Sequence, residues 1–197
     1  MMRKLKQSFL FFTGVVLLMS TGAFAASPSD ADYERWQANW DSLVPMDAYS
    51  FIPDEMTEEI WGDPLFNQQV ENASRALNTA LNGAKIDIAG FMVPIKFNGD
   101  KVYQFLLVPE AGMCIHVPPP PLNQTILVDM GDGYTKFRNL YEPVIVTGTV
   151  NVGENRVDLQ ANAQEEHTNP NYVQSTFESA DSGYTLVDVQ VKTLEWE

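Results

Sequence analysis

The repeat of apolar residues along this chain changes from helical to strand-like near residue 84. Tyr33, Trp36, Trp40 and Leu43 recur at intervals of three and four, which places them on one face of a helix. Asp30 is suited to cap that helix and Pro45 to stop it. Tryptophans at this spacing read as packing residues. A loop rich in Pro, Asp and Glu follows, then a second helix with Asp63 as cap and Pro64 in its first turn. Phe66, Val70, Ala73, Leu77 and Leu81 form its buried stripe, and Gly83 closes it. From Lys85 to Phe97 the residues are β-branched and aromatic, with Gly90 marking a bulge or bend. Asn98-Gly99-Asp100 predicts a hairpin turn into Val102–Val108. Short strands are predicted over Thr125–Met130 and Pro143–Val152, the latter bent at Gly148. In the last strand Val187, Val189 and Val191 alternate with Asp188, Gln190 and Lys192.

Five strands with two glycine bends predict a mainly β fold, a five-stranded OB-like Greek-key barrel carrying an N-terminal helical extension. A β-sandwich is the other arrangement compatible with the pattern. The domain reading is residues 1–25 as a leader, 26–83 as the extension and 84–197 as the barrel, with a polar insertion at about 153–183.

The first residues change the picture of where the chain works. Arg3, Lys4 and Lys6 precede an apolar run from Phe9 to Met19, and Ala23-Phe24-Ala25 supplies small residues for a cut after Ala25. The run is shorter than the ~20 residues of a membrane span. No cysteine follows the cut to take a lipid. The expectation is an exported, periplasmic protein, monomeric, with no stable membrane anchor. The leader takes three of the 12 Lys and Arg and none of the 26 Asp and Glu, so the net charge moves from −14 to −17. Such a field repels nucleic acid and anionic lipid, and attracts cations or a protein with a basic patch.

Candidate chemistry concentrates in Gly112-Met-Cys-Ile-His-Val-Pro-Pro-Pro-Pro-Leu-Asn-Gln124. It holds the only cysteine and one of two histidines. Pro118, Pro119, Pro120 and Pro121 favour stiff polyproline II geometry, spanning roughly 12 Å. On an extended backbone Cys114 and His116 would face the same way and could share one zinc or copper ion. Further ligands would come from His167, Glu165, Glu166 or Glu110, which no spacing draws near. A thiolate–imidazolium nucleophile is a second reading, although a two-residue spacing matches no recognised protease pattern. A docking surface is the third, with Asn123 and Gln124 adding amide groups beside the prolines. A buried structural thiol is equally compatible with a lone cysteine.

Ile88-Ala-Gly-Phe-Met-Val-Pro94, Phe105-Leu-Leu-Val-Pro109, the Cys114–Gln124 string, Val146-Thr-Gly-Thr-Val150 and Gly183-Tyr-Thr-Leu186 together resemble a bacterial family called domain of unknown function 3299. The resemblance runs from about Trp40 to the C-terminus. It implies an exported barrel whose relatives occur with ABC-type transport components and periplasmic proteins linked to zinc acquisition. The 153–183 insertion departs from the family pattern, so no role is carried to His167. The functional expectation is a non-enzymatic accessory protein in envelope metal handling, holding a soft divalent cation through Cys114 and His116. The alternatives are an adaptor docking on an ABC-type transport system or a periplasmic metal-binding protein, and a thiol-dependent enzyme.

Overall fold

The computed structural model describes residues 29–160 and 175–193. The leader and the segment with Glu165, Glu166 and His167 lie outside the described residues, as do the expectations placed on them. The first helix, α1 (Asp30–Leu43), starts from a capping box in which Ser29 and Asp32 satisfy each other's free backbone N–H groups. Ser29 is therefore the cap where Asp30 was expected. Trp36, Trp40 and Leu43 are buried, while Tyr33 stays at the edge with its ring against Trp36.

Both indoles also anchor the helix through their polar ends. Trp40 Nε1 donates to the Ala89 carbonyl at 2.7 Å and Trp36 Nε1 to Asp87 at 3.3 Å. Arg35 donates to both Asp87 carboxylate oxygens, and the Asn39 amide donates to the Asp87 carbonyl. A helix this polar on its outer face is held mainly by those contacts and its buried stripe, since isolated helices of its length are marginal.

Helix α2 (Glu58–Trp61) is a single turn capped by Thr57. Helix α3 (Pro64–Arg75) has Asp63 as cap and Pro64 in its first turn, as the sequence predicts. It ends at Arg75, earlier than the periodicity implies, because Ala76 turns extended and the Asn78 side chain caps a new 3₁₀ turn over Thr79–Leu81. Leu77 and Leu81 still pack on the core, from that turn rather than from α3. A local side-chain hydrogen bond has outcompeted helical continuation.

The sheet contains β1 (Lys85–Asn98), β2 (Lys101–Val108), β3 (Ile126–Asp129), β4 (Thr135–Lys136), β5 (Pro143–Asp158) and β6 (Ser179–Thr193). β1 pairs with β2, β2 with β3, β3 with β6, β6 with β5, and β5 again with β1, so five strands close a ring. The β3–β6 pair is parallel and β4 only extends β2. Closure removes the exposed edges that an open sheet would have to protect. The fold is thus mainly β, with a short helical N-terminal part. Phe105, Leu106, Leu107, Ile88, Val146 and Leu186 are all buried; along β2 Phe105 and Leu107 share one face of the sheet and Leu106 lies on the other.

The β1–β2 hairpin turns at Gly99, φ +60°, as Asn98-Gly99-Asp100 predicts. Gly90 is glycine because an added Cβ would lie 2.7 Å from the Val108 carbonyl oxygen. Gly148 sits at the β5 register shift, where a Cβ would meet Val189 at 2.7 Å. The polar insertion at 153–183 is corrected on both flanks. β5 continues to Asp158 and β6 begins at Ser179, with Asn155 opposite Ser182 and Val157 opposite Ala180. Val157, Ala180 and Ser182 are buried, and it is the exposed Glu154, Arg156 and Asp158 alternating with them that make the stretch read as loop.

Arg35 and the Trp36 indole hold the Asp87 carboxyl below the usual carboxylate range. Asp32 is held at about 2 by Ser29 and Arg35. Depressed carboxyl values stabilise the fold above the ordinary range, and that contribution is lost as pH falls through the lowered values. Asp87→Ala is expected to cost about 1–3 kcal/mol, measured by urea unfolding at pH 7. The difference between variant and parent should shrink as pH falls below the ordinary carboxylate range and through the lowered Asp87 value; a pH-independent difference would exclude the charged anchor.

Candidate functional site

The segment after β2 does not run extended. Gly112 (φ +81°) and Cys114 (φ +61°) both take left-handed backbone, and the N–H groups of Ile115, His116 and Val117 all point to the Gly112 carbonyl. The resulting tight turn corrects the expected common face. Residues two apart share a face only on an extended chain. Here Cys114 is fully buried in the core cluster while His116 is exposed. Burial pushes the Cys114 thiol up to about 12. Glu110 is exposed, and among the described residues no group of three or more His, Cys, Asp or Glu could hold a metal ion. The turn is tied to the residues that lead into β6: the Ser175 hydroxyl donates to the Cys114 carbonyl, and Thr176 donates through N–H and Oγ1 to the Ile115 carbonyl.

The prolines lead onward to a 3₁₀ turn over Leu122–Gln124. Pro118 and Pro121 are exposed, Pro119 is half-buried and Pro120 is buried. Asn123 and Gln124, read as groups for an outside partner, point inward. Asn123 is fully buried and donates to the Ala73 and Ala76 carbonyls at 2.9 and 3.1 Å, at the end of α3. Gln124 donates to the Trp40 carbonyl at 3.1 Å, near the end of α1. Both supply partners for carbonyls that helix ends leave free. Gly183 lies beneath this turn, where an added Cβ would be 2.7 Å from the Leu122 side chain and 2.9 Å from its carbonyl oxygen.

One face of the proline tract forms the wall of a polar cleft of about 280 Å³. Pro119 and Pro120 stand opposite Arg75, Arg156, Ser179 and Asp181. Asp181 lies 3.7 Å from Arg75 and 3.4 Å from Arg156, Arg75 also reaches Glu154 at 2.6 Å, and Arg156 donates to Ser179 at 2.6 Å. Arg156 remains largely open to solvent and Arg75 partly so. Two guanidiniums converging on one carboxylate, beside stiff apolar rings, can exchange that carboxylate for one supplied by a ligand. Reading 153–183 as an excursion hid Arg156 and Asp181. The paired-strand signal that could have found them is weak, because their strands are polar on the outer face.

The geometry makes Cys114 a protected thiol. A disulfide reagent should modify the native protein at least about 100-fold more slowly than the unfolded chain. Rapid native labelling would show that the turn opens. Gly183→Ala should cost about 1–3 kcal/mol by overpacking against Leu122, measured by thermal or urea unfolding; an unchanged midpoint would mean the turn yields freely.

Comparison with known proteins agrees with this geometry in extent. No curated protein matches the chain. Its fold is similar to the crystal structure of a DUF3299 family protein from Pseudomonas aeruginosa PAO1, with 27% identity and a TM-score of 0.50. That likeness covers 80% of this chain and 95% of the other. Residues 40–193, from Trp40 through β6 and including the whole Cys114–Gln124 string, match the model of a family described as protein of unknown function (DUF3299). The chain belongs to the DUF3299 family.

Proposed function

We propose that this protein is an exported, periplasmic accessory protein that acts by binding rather than by catalysis, on a Greek-key barrel of the OB type. The closed ring of five strands supports the barrel type. The observation that carries the binding role is the proline-walled cleft. Its rim is stiff before any ligand arrives, so little chain entropy is lost on docking. Its opposing guanidiniums and Asp181 suit a polar protein segment that presents a carboxylate beside a donor group.

The enclosed thiol argues against a thiol-dependent enzyme. With the thiol pushed up to about 12, roughly one molecule in 10⁵ carries thiolate at pH 7. A nucleophile needs the thiolate and needs access. Sharing zinc or copper between Cys114 and His116 would require the turn to open first. A role in envelope metal handling then runs through contact with a partner, of the ABC-type transport or periplasmic metal-binding class, rather than through an ion on this chain.

Ser179→Trp fills the cleft from its edge while leaving the ring of strands paired. Crosslinked partner capture from an envelope fraction should fall at least about tenfold in that variant and in Arg156→Glu, with the unfolding midpoint little changed. Cys114→Ser should capture like the parent. Unchanged capture by Ser179→Trp, or loss with Cys114→Ser in a folded protein, would overturn the reading.

A further inference from the structure

A second surface lies on the helical extension, apart from the cleft. Between Trp36 and Ser74 the chain has eight acidic residues and no lysine, arginine or histidine. Within that stretch Trp61 is 62% exposed and Leu65 is 70% exposed. They are not loose. The Trp61 ring meets the buried Phe66 ring edge-on at 6.2 Å, and Phe51 meets Phe66 from another direction at 5.7 Å. Thr57 caps the turn that carries Trp61, and Asp63 caps the helix that carries Leu65. The backbone that carries these two exposed apolar side chains, four positions apart, is therefore held by buried aromatic packing and two helix caps.

Asp54, Glu55, Glu58 and Glu59 lie two to seven positions before Trp61, exposed and without an ion pair among the described residues. We infer that the Trp61–Leu65 face docks a basic amphipathic protein segment, whose apolar side chains cover Trp61 and Leu65 while its lysines or arginines meet the acidic rim. An exposed tryptophan on a fixed support is the kind of residue that dominates binding energy at interfaces. The unpaired rim selects the partner's sign. A second copy of this chain would bring the same eight acidic residues against their like, and an anionic lipid surface would be repelled in the same way. Only a cationic partner gains from both halves of the surface.

The test uses the leaderless protein and two synthetic helices of one apolar pattern, one with lysines and one with glutamates on its polar face. Titration should show binding of the lysine helix only, weakening as salt rises. Trp61→Ala and Leu65→Ala should each weaken it roughly tenfold, and Glu58→Gln with Glu59→Gln by a similar factor. Asp132→Asn, on an exposed turn outside the stretch, should leave it unchanged. Equal binding by all variants would mean bulk charge attraction, and binding of the glutamate helix would remove the charge argument. Trp61-dependent dimerisation in sedimentation, or Trp61-dependent binding to neutral phosphatidylcholine vesicles in place of the peptide, would assign the face to a different occupant. Each of these outcomes overturns the inference while leaving the cleft reading untouched.

Discussion

Everything in this molecule hangs on a buried polar clasp where two helix ends meet the barrel. The Tyr184 hydroxyl donates to the Leu43 carbonyl and accepts from the Asn78 N–H at 2.7 Å. Asn78 in turn donates to the Ser42 carbonyl, Asn123 to the last turn of α3, and Gln124 to Trp40. Helix ends carry carbonyls without intrahelical partners, and leaving them buried and unpaired costs about 1–3 kcal/mol each. The clasp lets those ends pack against the barrel without that penalty. It also explains why Gly183 precedes Tyr184: only a residue without a side chain lets the 122–124 turn lie close enough for its amides to reach.

The same clasp fixes the proline tract in place. Its downstream end is pinned by Asn123 and Gln124, and its upstream end by Ser175 and Thr176 bonding to Cys114 and Ile115. Fixed at both ends, Pro119 and Pro120 become a rigid wall beside Arg75, Arg156 and Asp181. Cys114 is part of the footing of that wall. Its left-handed backbone and full burial serve the turn, and the thiol has the environment of a small core hydrophobe.

Charge divides the surface into two regimes. The few cations of the chain include a converging pair at the cleft, each already facing Asp181. The extension carries uncompensated acid around Trp61 and Leu65. One face therefore pairs its cations with carboxylates, while the other carries exposed acid without an ion pair among the described residues. The two sit on elements joined by the clasp, α3 contributing Arg75 at its end and Leu65 at its start.

Much of the fold was legible from residue order alone, because its determinants are local. The 3.6 and 2.0 periodicities located α1, α3 and the main strands, Asp63-Pro64 marked a helix start, and Asn98-Gly99 marked the hairpin. The resemblance carried by the Cys114–Gln124 string placed the chain in its family. Three features were decided only by tertiary structure. α3 stopped early because the Asn78 side chain accepted from the Ala80 N–H and donated to the Ser42 carbonyl; β5 and β6 extended into polar sequence because each supplied the other's hydrogen bonds. Cys114 and His116 parted because a left-handed turn, stabilised by contacts from residues some 60 positions away, replaced the extended backbone on which a shared face depends. Spacing reports direction only when backbone conformation is known, and at this loop that conformation is set by partners distant in sequence.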